Sequence, residues 1–283
     1  MLQFFFRKIR CFIKSFFRVC LLLYGHCCSE TPWYIITVLS NLFLSKLYPI
    51  FVFNVTLIKL DLNLLIFLVY STNLIVYFKN EEMITIVNYD MGNLGSIQNM
   101  LKKIGVKSIV TSSPEKVFSA DKLLLPGVGH FKRAMQNLTN YGLIDALNQK
   151  VLVDKTPILG ICLGMQLMTS YSEEGECKGL GWIDAQALRF PSYEETGLKV
   201  PHMGWNEVSF SDSHSLSIGL VDPRFYFVHT YRVLCESSEN VLCTTSYGET
   251  FHSGICKDNI MGVQFHPEKS HAFGMRLLEN FCG

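Results

Sequence analysis

Cys162 stands in Pro157-Ile-Leu-Gly-Ile-Cys162-Leu-Gly-Met-Gln166, and His266-Pro-Glu268 lies near the far end of the chain. A thiol, an imidazole and a carboxylate are the parts of a nucleophilic acyl-transfer device. A free thiol, with a pKa near ~8.5, is only a few per cent thiolate at neutral pH. A histidine that accepts its proton corrects this, and a carboxylate on the far ring nitrogen fixes the tautomer. The local pattern around Cys162 suits that task. An apolar run, Gly160-x-Cys162-x-Gly164, then helix formers read as a strand, a tight turn and a helix with the thiol at the apex. Gly160 and Gly164 leave room for close neighbours, and the start of a helix favours thiolate over thiol. His266 and Glu268 are two apart, so at a strand end both project from one side. Acyl transfer also needs two N–H donors for an oxyanion. Leu163, the residue after the nucleophile, supplies one, and the loop Gly127-Val128-Gly129 after another apolar run is the candidate for the second.

Each feature has a plainer reading. A single Cys is more often a buried apolar packer, a His at a strand end a surface group, and Gly127-Val128-Gly129 an ordinary turn. Their joint occurrence, each behind its own strand signal, favours the catalytic reading. The ten cysteines (11, 20, 27, 28, 162, 177, 235, 243, 256 and 282) show no paired C-x-x-C spacing. A zinc site and a disulfide framework are therefore not expected, and a reduced compartment suits a reactive thiol.

The elements that must position these groups alternate. Strands are expected at Ile84–Tyr89, Lys107–Val110, Lys122–Pro126 and Pro157–Ile161, with helices from about Ser96 to Ile104, over 130–138 and over 142–153. This order argues a parallel sheet covered by helices. Further strands are expected at Trp182–Phe190, Asn206–Phe210, Phe225–Val233, Val241–Tyr247, Ser253–Cys256 and Ile260–Phe265, some of them antiparallel members of the sheet. Phe273, Leu277, Leu278 and Phe281 sit at helical spacing in a closing helix over 271–282.

Residues 1–82 read differently. They hold eight of the 25 Lys and Arg and four of the 24 Asp and Glu, which leaves residues 83–283 at a net charge of −3. That value argues against nucleic-acid binding. The first segment has no Ala, one Gly (Gly25) and three apolar stretches, Phe16–Tyr24, Tyr34–Val55 and Leu62–Phe78. One reading is a membrane anchor; the other, favoured here, is upstream sequence with Met83 as the working start. Packed spanning helices use Gly and Ala, which are almost absent, and Met83 directly precedes a clean first strand. The expected organisation is thus a hydrophobic extension, 1–82, and a working domain, 83–283.

Gly160-Ile-Cys162-Leu-Gly164-Met-Gln166, Pro126-Gly-Val128-Gly129 and His266-Pro-Glu268 resemble the class I, triad-type glutamine amidotransferases. Asn88-Tyr-Asp-Met-Gly-Asn93-Leu, Pro201-His-Met-Gly-Trp-Asn206, Phe225-Tyr-Phe-Val-His-Thr-Tyr231-Arg and Gln264-Phe-His-Pro-Glu-Lys269-Ser narrow the likeness to the glutaminase subunit of imidazole glycerol phosphate synthase. The resemblance spans essentially all of 83–283. It implies an α/β, flavodoxin-like fold: a mixed, mainly parallel sheet flanked by helices. It implies that Cys162 attacks the glutamine side-chain amide, that His266, oriented by Glu268, protonates the departing ammonia, and that Val128 and Leu163 form the oxyanion hole. Gly127, Gly129, Gln166, Glu174, Thr230 and Tyr231 match glutamine-binding positions. Asn93, His202, Met203, Trp205, Asn206, Tyr226 and Lys269 match positions near a partner interface, core packing being the plainer reading for Trp205 and Tyr226 and a solvated surface charge for Lys269. No cofactor or metal is expected. The partner is a separate (β/α)₈ synthase chain that receives the ammonia, and the compartment is the cytoplasm. A sugar amidotransferase of surface-polysaccharide synthesis is the alternative acceptor. A cysteine peptidase fits poorly with Gln166 and the Pro201–Asn206 motif, and a non-catalytic membrane adaptor fits poorly with an intact triad.

Overall fold

The computed structural model of the protein describes residues 83–211 and 214–283. It also describes two short strands, Leu68–Val69 and Leu74–Ile75, which pair with each other antiparallel. The two readings of residues 1–82 otherwise fall outside the described residues. Among the described residues, no helix is long and apolar enough to cross a membrane.

The first half alternates as its sequence pattern requires: β1 (Ile84–Val87), α1 (Leu94–Lys103), β2 (Ser108–Thr111), α2 (Pro114–Phe118), β3 (Lys122–Gly127), α3 (Phe131–Asn140), α4 (Leu143–Asn148), β4 (Ile158–Cys162) and α5 (Leu163–Leu167). Helix α1 starts two residues earlier than expected, capped by Asn93, whose side chain accepts the Ser96 N–H at 3.4 Å. The helix expected over 142–153 is interrupted. After Asn148 it widens into a π-helical turn, Gln149–Val153.

The second half contains β5 (Tyr171–Ser172), β6 (Cys177–Lys178), β7 (Ala185–Arg189), α6 (Tyr193–Thr196), β8 (His202–Glu207), β9 (Ser209–Phe210), β10 (Arg224–His229), β11 (Tyr231–Cys235), β12 (Val241–Tyr247), β13 (Glu249–Lys257), β14 (Ile260–Val263) and α7 (His271–Cys282). The main sheet runs β2-β1-β3-β4-β14-β13-β11-β7-β5-β6, with β12 pairing β13 and β9. Its first five strands are all parallel, and β13 and β11 extend it antiparallel. The α/β class and the mainly parallel sheet are as the alternation predicts.

Both faces of the parallel part are buried, so its strands are apolar runs without alternation. Leu123 and Leu125 point to the face covered by α3 and α4, among Ala134, Leu138, Leu143 and Leu147. Leu124 points to the other face, against Ile97 and Leu101 of α1 and Leu277 and Leu278 of α7. Each such aliphatic side chain is worth about 1.5–3 kcal/mol relative to leaving it in water.

One expectation fails instructively. Phe225–Val233 is not one strand. The chain leaves the main sheet's neighbourhood as β10, pairs with β8 in a separate two-stranded ribbon, and re-enters the sheet as β11 after Thr230. In the ribbon His202 faces His229 and Trp205 faces Tyr226. Its side chains alternate: Phe225, Phe227 and His229 are buried, whereas Met203 and Trp205 face solvent at 61% and 43% exposure.

Candidate active site

The parallel register delivers the nucleophile. Gly127 at the end of β3 pairs with Cys162 at the end of β4, so the Gly127-Val128-Gly129 loop lies beside the Cys162 turn. Cys162 has φ 54° and ψ −110°, a region that side-chain-bearing residues avoid at a cost of about 1–3 kcal/mol. The turn is that tight because α5 packs directly onto β3. A Cβ on Gly164 would overlap the carbonyl oxygen of Leu125, and one on Gly160 would meet the Met165 backbone nitrogen at 2.8 Å. Only hydrogen fits at both positions. The thiol, 7% exposed, opens into a cavity of about 460 Å³.

His266 lies beyond the end of β14. It and Glu268 are not on a strand; Pro267–Lys269 is a 3₁₀ turn. The fixed φ of Pro267 bends the chain so that the two side chains meet, His266 Nδ1 standing 2.8 Å from Glu268 Oε1. The ribbon clamps this turn. The His266 N–H donates to the Tyr226 carbonyl at 2.9 Å, and the Tyr226 N–H donates to Ser270 Oγ at 3.0 Å. Ser270 Oγ–H in turn donates to the His266 carbonyl at 2.6 Å. With Nδ1 committed to the carboxylate, the buried Nε2 is the ring nitrogen left to exchange a proton with Cys162. Burial alone would depress the imidazole pKa. Hydrogen-bonding and charge interactions with Cys162 and Glu268 outweigh it and raise the pKa to about 10. The site therefore favours an imidazolium beside the sulfur.

The remaining expected residues divide. Val128, Gly129, Leu163, Gln166, Glu174, Thr230 and Tyr231 line the same cavity as Cys162 and His266, with Asn93 and Lys269 also on its wall. Gly127 lies behind, where a Cβ would strike the Tyr89 hydroxyl. Glu174 is partly engaged: one carboxylate oxygen accepts the Phe131 N–H at 2.7 Å, at the start of α3, where the helix dipole favours a negative charge. Lys269 sits over the Tyr226 ring, 5.6 Å from its centre. Trp205 stacks on His271 at 5.5 Å, and its exposure sets aside a core-packing role. His202 is not on that surface. It is 3% exposed, stacked between Tyr247 and Phe227, because even-numbered residues of β8 point inward.

Four residues that the sequence motifs contain but to which they assign no role also bear on the site. Tyr89 donates its hydroxyl to the Pro126 carbonyl at 2.7 Å, under the Gly127 loop, and burial, then the Cys162 thiol, raise its pKa well above the ordinary tyrosine value. Pro201 and His229 line the cavity. Gln264 places its amide nitrogen 3.6 Å from Cys162 Sγ. Gln264 and His229 had one signal each, their places in the motifs Gln264-Phe-His-Pro-Glu-Lys269-Ser and Phe225-Tyr-Phe-Val-His-Thr-Tyr231-Arg.

Fold, elbow and triad together define a class. Residues 85–282 match the family model "Glutamine amidotransferase class-I", and the chain belongs to that family. Over 200 residues, 70% of this chain and 98% of the relative, it is 56% identical to "Imidazole glycerol phosphate synthase subunit HisH 2" of Methanococcus maripaludis. It is 44% identical over 200 residues to the protein of the same name in Pseudomonas aeruginosa, again covering 70% of this chain and 98% of that protein. Among solved structures, PurLQS from Thermotoga maritima shares the fold with a TM-score of 0.55 at 14% identity, over 71% of this chain and 97% of that one.

Proposed function

We propose that residues 83–283 form a glutaminase subunit that hydrolyses glutamine to glutamate and ammonia and passes the ammonia to a separate synthase chain forming imidazole glycerol phosphate in histidine biosynthesis. The observation that carries the reading is the meeting of Cys162 with His266, itself paired to Glu268, in one cavity lined by residues from seven separate stretches of chain. The names of the relatives support the choice of pathway.

The sulfur of Cys162 attacks the side-chain amide carbon, and the carbonyl oxygen takes up the displaced electron pair. Val128 and Leu163 are assigned as its N–H donors, each such donor being worth about 2.7–4 kcal/mol of barrier. Collapse breaks the C–N bond, His266 Nε2–H gives its proton to the leaving nitrogen, and ammonia departs. Water then adds to the thioester, returning a proton to His266, and the C–S bond breaks to release glutamate. Glu268 holds the imidazolium throughout. Gln166 spends its amide N–H groups on the Tyr231 carbonyl at 3.2 Å and Gln264 Oε1 at 3.0 Å, so its own carbonyl oxygen is the group assigned to substrate. Met203, Trp205, Tyr226 and Lys269 form the assigned docking face for a (β/α)₈ partner, and the cytoplasm is the assigned compartment.

The test is Cys162→Ala in the complex with the synthase chain. Glutamine hydrolysis should vanish while the synthase still works with added ammonium. Retained glutamine turnover would remove Cys162 from its role.

A further inference from the structure

A line of polar groups runs from the exposed edge of the ribbon inward to the buried sulfur. Asn206 Nδ2 lies 2.9 Å from the Ser246 carbonyl and 3.3 Å from His202 Nε2. His202 Nδ1 lies 2.9 Å from His229 Nε2, and His229 Nδ1 lies 2.8 Å from the Tyr231 carbonyl. The Tyr231 carbonyl also accepts from Gln166 Nε2, which reaches Gln264 Oε1, and Gln264 Nε2 ends the line at Cys162 Sγ.

Backbone carbonyls only accept, and this fixes the direction of every proton. The Ser246 carbonyl makes the Asn206 nitrogen a donor, so His202 accepts at Nε2 and donates from Nδ1. His229 then accepts at Nε2 and donates from Nδ1 to Tyr231. Starting instead from the Tyr231 carbonyl gives the same assignment in reverse. Both imidazoles must be neutral for this, and burial holds them so. It lowers His202 to about 4, and it lowers His229 to about 3 with smaller help from His202 and His266. On the other side of the Tyr231 carbonyl, Gln166 donates to Gln264 Oε1, which leaves the Gln264 NH₂ turned to the sulfur. Gln264 is fully buried, so it has no water to trade for these partners.

We propose that Gln264 is a further catalytic residue, which donates its Nε2–H to the Cys162 sulfur, stabilises the anion and fixes its direction of attack, with Gln166, His229 and His202 as the positioning residues that orient it. This rests on the reading of Cys162 as the nucleophile. Besides Gln264, the thiol faces His266 and through it Glu268, the buried Tyr89, and, across the cavity, Glu174, His229 and Lys269. None of these is altered by the test variants.

The test is the pH profile of Cys162 alkylation by iodoacetamide, scored at the Cys162 peptide by mass spectrometry, in the full chain without glutamine. Losing a hydrogen bond to an anion in Gln264→Met should move the midpoint up by about one pH unit. A more basic thiolate is also a better nucleophile, so the alkaline plateau should rise about threefold as the neutral-pH rate falls. Such crossing profiles do not arise from a loosened fold, which lowers or raises both limbs together. Gln264→Glu places a carboxylate beside the sulfur and should move the midpoint further. In the unmutated protein, the Gln264 side-chain amide signal should shift as Cys162 ionises and stay still in Cys162→Ala. An unmoved midpoint in the variants, or an amide signal indifferent to the thiol, overturns the proposal. Neither readout needs glutamine turnover, so a chain that failed to hydrolyse glutamine would refute the functional reading alone.

Discussion

Glu268→Gln isolates the charge behind the imidazole. The carboxylate is almost fully buried and 2.8 Å from His266 Nδ1. A glutamine of the same shape still offers a carbonyl oxygen to Nδ1–H, so the tautomer and the ring's orientation survive and only the negative charge is removed. What is lost is the difference between a charge-assisted and a neutral hydrogen bond, about 1–1.5 kcal/mol. If that charge acts on the imidazolium as ammonia leaves, kcat should fall roughly 5- to 13-fold with little change in KM. The His266 pKa, held near 10 against burial by Cys162 and Glu268, should drop by at least about one unit. The stability sign follows. A pKa raised above the ordinary 6.5 contributes stability below that value and loses it as pH rises toward 10, so the variant's deficit should be full at pH 6 and fade in alkali. Steady-state glutaminase rates in the complex, imidazole NMR titration and urea unfolding at several pH values measure the three effects. A kcat within twofold of the unmutated enzyme, with an unmoved imidazole, would refute the account of Glu268.

Two further outcomes follow from the ribbon. His202 and His229 have pKa values lowered to about 4 and about 3, so the protein should lose stability as pH falls from 6.5 through those values; urea midpoints that stay level from pH 7 to pH 4 would contradict their burial as neutral rings. Trp205→Ala should weaken binding to the synthase chain at least about tenfold, measured by calorimetry, and leave Tm nearly unchanged, because its ring is on the outer face of the ribbon. An unaltered affinity would move the docking face elsewhere.

The elbow was readable because its signal is local: the glycines at 160 and 164 sit within two residues of Cys162, although what forbids a side chain at 164 is the Leu125 carbonyl on β3. The βα alternation of the first half was readable for the same reason. Phe225–Val233 reads as one strand because alternation continues through Thr230, while the change of partner there is decided by β8 and β7, both more than 20 residues upstream of Thr230. His202 was grouped with Met203 and Trp205 near a partner interface, although a two-residue period puts its side chain on the opposite, buried face. Gln264 is the deepest omission. It heads a sequence motif, but the contact with Cys162 that gives it a role spans 102 residues, and the motif alone does not encode that contact.

The ribbon carries recognition and chemistry on alternate residues. Met203 and Trp205 look outward; His202 and Asn206 look toward the sulfur, one peptide unit away. Its length is consequently frozen. Adding or deleting a single residue in β8 would turn every side chain over, plunging an indole into the interior and stranding an imidazole in water. Lineages descended from such a chain can exchange one letter for another along this hairpin, but they have no freedom to stretch it.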